Sequence, residues 1–317
     1  MTGIARHQAF DSDELAGALA GWSQDYTQLG RGKLQAELLQ VLLPEASLIY
    51  ERSNLHLHEN MAPPAGQIVF GIPLSVSGDS LFNGHALSLD TLLVLEGGQE
   101  MEICAPGEIR MLGLTVSRQL LSRVLGAQEQ ELLEQALARR RLDISQTTAQ
   151  GIRRDLCNSI RAFERDERSP LVAQHGTAAV MSALSGVVQG LDDRLLGDAS
   201  RISSNPRALE QHRRLVLAAI EIMQATVAGP LSIMELCQAL NTSHRTLQYC
   251  FRQICQATPL QFFLSLRLAE ARRRLKLAPQ QSITTLALDL GFASSSHFSS
   301  LYKRQYAEQP SLIGRRS

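Results

Sequence analysis

The chain has 317 residues, of which 44% are hydrophobic and 20% charged, with 31 basic and 31 acidic side chains cancelling to a formal net charge of zero. Those proportions describe a soluble globular protein long enough for two domains and exclude disordered, collagen-like and fibrous classes. The apolar runs fall short of the ~20 residues a membrane helix needs, and the N-terminal stretch MTGIARHQAFDSDE has no apolar h-region, so a cytoplasmic location with no membrane partner is expected.

Residues 1–32 read as an irregular lead-in with one helical patch at Asp13–Ala20. Short apolar or alternating runs follow at Lys33–Leu43, Ala46–Ser53, Gln67–Ile72, Thr91–Leu95, Met101–Cys104 and Ile109–Val116, punctuated by Gly, Pro, Asn and Asp. Closely spaced strands with no helical run between them predict an antiparallel sandwich or barrel. After Ser117 the period turns helical, over Arg118–Leu125, Glu129–Arg141, Thr147–Glu167 and Pro170–Leu196. The last run places Leu171, Ala178, Met181, Leu184, Val188, Leu191 and Leu195 on one stripe, expected to serve a dimer interface and in part to cover the strands. The segment GDASRISSNPR, Gly197–Arg207, reads as a linker, and everything beyond it as helix.

The neutral total hides an asymmetry. Residues 205–317 hold 14 basic and 6 acidic side chains, a net of +8, which leaves −8 on the rest. A basic C-terminal module on an acidic partner domain points to a polyanion ligand. The five cysteines (Cys104, Cys157, Cys237, Cys250 and Cys255) are scattered and form no C-x-x-C pair, so buried reduced thiols are expected rather than disulfides or a zinc ribbon. No P-loop, G-x-G-x-x-G or G-x-S-x-G motif occurs; no catalytic residue and no cofactor is assigned.

The last third contains an internal repeat. Ile233-Met-Glu-Leu, Leu240-Asn241, Leu247, Phe251 and Pro259 match Ile283-Thr-Thr-Leu, Leu290-Gly291, Phe298, Tyr302 and Pro310, with the turn differing by one residue. Ser232 with Glu235 forms a capping box, and Asn241 suits a left-handed helix end. Ser243 caps a second helix whose core side carries Leu247 and Phe251. In the second copy Ser282 caps, Gly291 ends the short helix, and Ser294–Ser296 opens the next. Each copy therefore predicts a helix-turn-helix. Between them Thr258-Pro259 opens a helix to Leu277, with Leu260, Leu264, Leu268, Ala271 and Leu275 on one stripe and the Arg272–Arg274 cluster largely off it. At 1.5 Å per residue such a rod is about 28 Å long, a length suited to setting two helices into successive major grooves.

The segments SIMELCQALNTSHRTLQYCF, PLQFFLSLRLAEARRRL and SITTLALDLGFASSSHFSSLYKRQYAEQP resemble the DNA-binding domain of the AraC/XylS family of bacterial transcription regulators. Two departures stand out: Gln256 and Ala307 occupy positions where the family often has Gly. The resemblance implies a sequence-specific transcription regulator, an activator that contacts RNA polymerase, acts as a homodimer on promoter DNA, and senses a small molecule or partner through its N-terminal domain. It also implies an α+β fold class, with an N-terminal cupin-like antiparallel β-barrel plus helices and a C-terminal all-α double helix-turn-helix domain. The corresponding division is 1–117 effector domain, 118–197 helical dimerisation region, 198–207 linker and 208–317 DNA-binding domain.

By the same resemblance, Arg245, Gln248 and Tyr249 of the first recognition helix fall at base-facing positions. Arg pairs bidentately with guanine and Gln with adenine. The second recognition helix offers Ser296 and Ser300, whose hydroxyls discriminate little between bases. Ser243, Arg252, Lys303 and Arg304 are assigned to phosphates. His56 and His58 alternate like a cupin metal pair, but Met61–Pro63 stand where the pattern needs a Glu, and His85 and Glu102 are distant candidates. No metal site is therefore assigned. A metal-dependent cupin enzyme fused to a DNA-binding module, and an effector-independent regulator, stand as the competing readings.

Overall fold

The computed structural model describes residues 3–165, 180–182, 184–191 and 206–315. Two sheets form the N-terminal half. The larger contains β1 (Gly3–Ala9), β3 (Ala36–Leu42), β4 (Ala46–Ser53), β6 (Gln67–Val76), β9 (Thr91–Glu96), β11 (Ile109–Ser117) and β12 (Arg141–Asp143), in the order β1-β3-β4-β11-β6-β9-β12. The smaller contains β2 (Ser23–Gln28), β5 (Leu57–Ala62), β7 (Leu81–Phe82), β8 (His85–Ala86) and β10 (Met101–Ala105), in the order β2-β5-β10-β7-β8. Among the described residues every pairing is antiparallel, and no strand of one sheet hydrogen-bonds to the other. This corrects the cupin-like barrel expected from sequence. A barrel needs its first and last strands to pair, yet β1 pairs only with β3 and β12 only with β9. The fold is instead an open two-sheet β+α unit followed by an α-helical unit.

The strand alternation explains the layering. Leu39, Leu48, Ile68, Phe70, Leu112 and Leu114 project from the larger sheet onto helices, where they meet Leu121, Leu133, Leu137, Ile152 and Leu156. Their neighbours Leu38, Ile49, Val69 and Leu93 project the other way, against Leu57, Met61, Met101 and Ile103 of the smaller sheet. With both faces covered, the larger sheet reads as near-continuous apolar sequence. Its helical cover is α2 (Arg118–Val124), α3 (Ala127–Arg139), α4 (Gln146–Arg165) and α5 (184–191). Leu184 and Leu191, expected on a dimer stripe, are buried in this core, and Gly186 and Gly190 bring α5 close to Ile152 and Thr148 of α4. Leu171, Ala178 and Leu195 lie outside the described residues, as do positions 197–205 of the expected linker. Pro206 and Arg207 already belong to the next helix.

That helix is α6 (Pro206–Ala225); the sheet half also holds one short helix between β1 and β2, α1 (Ser12–Leu15). The remaining helices are α7 (Ile233–Ala239), α8 (His244–Cys255), α9 (Pro259–Leu277), α10 (Ile283–Asp289) and α11 (Ser295–Tyr306), closed by a 3-10 turn at Pro310–Arg315. They enclose two cores. One gathers Val216, Leu236, Leu247, Phe251, Phe262, Phe263 and Leu266. The other gathers Leu268, Ala271, Leu275, Leu286, Phe298 and Tyr302. Helix α9 belongs to both, and this corrects its expected single stripe: Leu260 is 64% exposed, while Phe262, Phe263 and Leu266 are buried in its place.

Six strands lie outside the runs expected from sequence: β1, β2, β5, β7, β8 and β12. β1, β2 and β5 lie in segments taken as lead-in or turn, because their composition is polar (SQDYTQ in β2, LHENMA in β5). In β2 and β5 part of that polar set is buried, at Thr27, Gln28, His58 and Glu59, whereas His7 and Gln8 of β1 and Ser23 and Asp25 of β2 are exposed.

Candidate nucleic-acid interface

Capping chemistry sets the two helix-turn-helices. The Ser232 hydroxyl accepts from the Glu235 N–H at 3.2 Å and the Glu235 carboxylate accepts from the Ser232 N–H at 2.8 Å. Asn241 turns the chain with φ +47°, and the Ser243 hydroxyl then caps α8 by accepting from the Thr246 N–H at 3.0 Å. In the second copy Ser282 and Ser294 cap α10 and α11. Gly291, at φ +74°, lies against the Arg267 guanidinium, which a Cβ would meet at 3.2 Å; both facts select glycine. Leu247, Phe251, Phe298 and Tyr302 anchor the recognition helices and are each fully buried.

The opposite faces carry the assigned contacts. Arg245, Tyr249, Arg252, Ser296, Ser300, Lys303, Arg304 and Ser243 are exposed, and Gln248 is half-buried. Tyr249 packs edge-on against His212 of α6, with ring centroids 5.4 Å apart. Gln248 lies 3.3 Å from the His244 ring nitrogen, and the Ser243 hydroxyl is already engaged as a cap. Arg245, Arg252, Lys303 and Arg304 form no ion pair among the described residues. The basic cluster of α9 behaves differently. Arg273 and Arg274 pair with Glu270 at 2.8 and 2.6 Å, while Arg272 and Lys276 pair with Asp11 of the sheet half. On the connecting helix Arg272, Arg273, Arg274 and Lys276 are thus matched by carboxylates and Arg267 donates to the Gly229 carbonyl at 2.8 Å, while the cations of the recognition helices stay open.

Sequence spacing sets Arg272 largely off the apolar stripe of α9. It is nevertheless only 13% exposed, with its guanidinium 4.7 Å from the Tyr306 ring centroid and ion-paired to Asp11 and Glu308. Burial alone would raise the Asp11 carboxyl. The hydrogen bond from Lys276, the Glu14 N–H and the nearby Arg272 outweigh it and hold the group below its ordinary range.

A second buried contact joins the halves. Glu102 of β10, 2% exposed, lies 2.6 Å from Arg213 Nε of α6 and 3.1 Å from His58 Nε2. The Arg213 N–H is not aligned on the carboxylate, so this is a close ion pair rather than a directed hydrogen bond. The His58 ring stands edge-on to Phe262 of α9 at 5.3 Å. Gln305 of α11 donates to the Gln28 carbonyl at 2.8 Å, and its own carbonyl accepts the Gly32 N–H at 2.8 Å. The hairpin turn Asn83-Gly84 seats on the same surface: a Cβ at Gly84, φ +76°, would come within 2.6 Å of Ile254 and 2.9 Å of Leu209. None of these partners carries a local sequence signal.

The His56-x-His58 pair therefore belongs to this junction. His56 Nε2 lies 3.3 Å from Cys104 Sγ, and burial lowers the His56 ring below its ordinary value. Among the described residues no group of three His, Cys, Asp or Glu side chains is placed to hold a metal ion. All five cysteines are free thiols, and burial pushes Cys104, Cys250 and Cys255 up, away from reactive thiolate. Among the described residues no helix is long and apolar enough to cross a membrane.

A family described as a helix-turn-helix domain matches residues 236–316. The chain is 34% identical over 113 residues to the HTH-type transcriptional regulator ArgR of Pseudomonas aeruginosa, a match covering 36% of this chain and 34% of that protein. It is 30% identical over 173 residues to the HTH-type transcriptional activator RhaS of an Enterobacter species, covering 54% of this chain and 55% of that one. The chain thus spans between about a third and about half of the length of these curated relatives. A solved transcriptional regulator of Chromobacterium violaceum, described as containing an AraC-type DNA-binding domain, is 29% identical, covering 33% of this chain and 94% of that one with a TM-score of 0.32.

Proposed function

Because the chain belongs to the AraC/XylS family of helix-turn-helix transcription regulators, we propose that it reads promoter DNA with α8 and α11 and activates transcription there. The observation that carries this reading is the pair of capped helix-turn-helices whose outer faces hold the cations without acidic partners. Arg245, Gln248 and Tyr249 take base edges in one major groove, with a smaller contribution from Ser296 and Ser300 in the next. Arg252, Lys303 and Arg304 take phosphates, and the exposed Ser243 at the start of α8 adds a hydroxyl contact. The two-sheet half senses a small molecule or partner, the 118–197 helices mediate dimerisation, and the complex contacts RNA polymerase. The functional division is 1–117, 118–197, a linker at 198–207, and 208–317.

Selection from a randomised duplex pool, read by sequencing, tests this reading. Arg245→Ala should flatten base preference in one half of the selected site, at a cost of ~1–3 kcal/mol. Ser296→Ala and Ser300→Ala should each do less. Lys303→Ala should weaken all sequences alike and lower the salt slope by about one unit. Base preferences that survive Arg245→Ala but vanish in Ser300→Ala would reverse the assignment of the two helices.

A further inference from the structure

Among the described residues four carboxylates are buried in the sheet half: Asp11, Glu51, Glu59 and Glu102. Two of them have cationic partners, Asp11 with Arg272 and Lys276, and Glu102 with Arg213. The other two do not. Glu51 on β4 and Glu59 on β5 project from opposite sheets into the space between them, at 8% and 3% exposure. The Tyr26 hydroxyl donates to Glu51 at 3.0 Å, itself accepting from the Gln24 amide at 2.7 Å. The Glu59 carboxyl makes no hydrogen bond or ion pair among the described residues. Two uncompensated acids in an apolar interior are costly, and folding alone does not call for them.

They face a cavity. It has a volume of about 50 Å3 and is walled by Trp22, Glu51, Met61, Met101 and Met111, with Gly71 and Gly113 on its floor. The two glycines are register partners on β6 and β11, so the absence of two side chains at adjacent positions leaves the hollow open. Glu59 lies beside it, cross-strand from Tyr26 and Ile103, on the face that Met61 and Ile103 share. At ~10–15 Å3 per water-sized group, the space suits about three to five heavy atoms. The wall chemistry is the Trp22 side chain, thioethers and the Glu51 carboxyl. Among the described residues no cationic side chain lines it, and its fixed side-chain donor is the Trp22 indole N–H.

We propose that this inter-sheet cavity binds a small alkylammonium monocation, with Glu51 and Glu59 supplying the counter-charge and Trp22 and the methionines packing on its alkyl groups. Trp22 adds the attraction of its ring face for a cation. Anions are rejected by the two acids, and neutral molecules of the same shape gain only the apolar contact. Burial and the proximity of Glu51 push the Glu59 carboxyl up, so the empty site keeps protons that an arriving cation displaces. This assignment rests on the reading of the sheet half as the sensor.

The test uses the full chain, whose single tryptophan is Trp22, so its fluorescence reports on the cavity wall directly. The probes are tetramethylammonium and propylammonium, with tert-butanol as the neutral analogue and trimethylacetate as the anionic one, each titrated by fluorescence and by calorimetry. Saturable binding of a cation, at least about tenfold tighter than tert-butanol and lost on Glu51→Gln and Glu59→Gln, is the expected result. Gly71→Ala, which fills the floor without touching the charge, should weaken every probe alike. The proposal is overturned if no cation saturates the signal, if tert-butanol or trimethylacetate binds as well, or if the Gln variants keep cation binding. Affinity for the selected DNA, measured with and without the cation, separates this proposal from the sensing reading. Glu-dependent cation binding that leaves DNA affinity unchanged keeps the site and removes its sensing role. A DNA response that persists in both Gln variants removes the site and keeps the sensing role.

Discussion

Replacing Arg213 by Met should destabilise the whole chain, because it strands the Glu102 carboxylate at the junction between the halves. The two groups lie 2.6 Å apart with 9% and 2% of their side chains exposed. At an effective dielectric of ~20 their attraction is about 6 kcal/mol before desolvation, and removing one member of such a pair typically costs ~3–5 kcal/mol. His58 keeps its 3.1 Å contact with the other oxygen of Glu102, so the lower end, about 3 kcal/mol, is expected. The double variant Arg213→Met/Glu102→Gln removes the stranded charge and should recover to within about 1 kcal/mol of the parent. Urea unfolding of the four proteins of the cycle, followed by circular dichroism, yields the coupling directly. A loss under about 1 kcal/mol for Arg213→Met, or a double variant as unstable as the single, would show that the junction does not depend on this pair.

Three further outcomes follow from the geometry. Ala307, the left-handed C-cap of α11 at φ +55°, should gain about 1 kcal/mol on replacement by Gly; Gln256→Gly should gain less, since Gln256 also donates to the Asp79 carbonyl, and thermal unfolding of both variants checks this. Burial pushes Glu51 from 4.5 up to about 7. Across that window the folded chain holds a proton the unfolded chain has released, so about 3 kcal/mol of stability should disappear as pH rises from about 4.5 to about 7; unfolding across pH should show this slope, reduced in Glu51→Gln to the part contributed by the likewise raised Glu59 carboxyl. Gly84→Ala combines a left-handed backbone with overlap against Ile254 and Leu209, and should cost about 2–3 kcal/mol and raise hydrogen exchange in α6.

The helical half was legible in the sequence because its signals are local. Ser232 with Glu235, Thr258 with Pro259, and Ser243 ahead of Leu247 all act within four residues of one another, and the structure places each as the spacing predicts. The departures at Gln256 and Ala307 are explained as well: both hold the left-handed conformation for which Gly is the easier choice. The sheet half was less legible because its decisive contacts are distant. Strand β5 hides as LHENMA since His58 faces Phe262, some two hundred positions away, while Glu59 faces the inter-sheet space. Alternation also says which faces are apolar but not whether the first strand meets the last, so an open pair of sheets and a closed barrel look alike from residues 33–117. Leu184 and Leu191 show the same limit, since periodicity marks a buried stripe without saying what buries it.

Helix α9 ends in one core and begins in another, so the two recognition helices are bolted to a common shaft and differ in what they present: arginine and glutamine on one, serines on the other. A symmetric dimer of single readers recognises a palindrome, which looks the same from either end. A single chain with unlike readers at fixed spacing recognises a site that has a head and a tail. Turning such a site around would point the sheet half the opposite way along the promoter, even with every base contact kept. If α8 and α11 read DNA as proposed, orientation is information that one copy of the chain can already read.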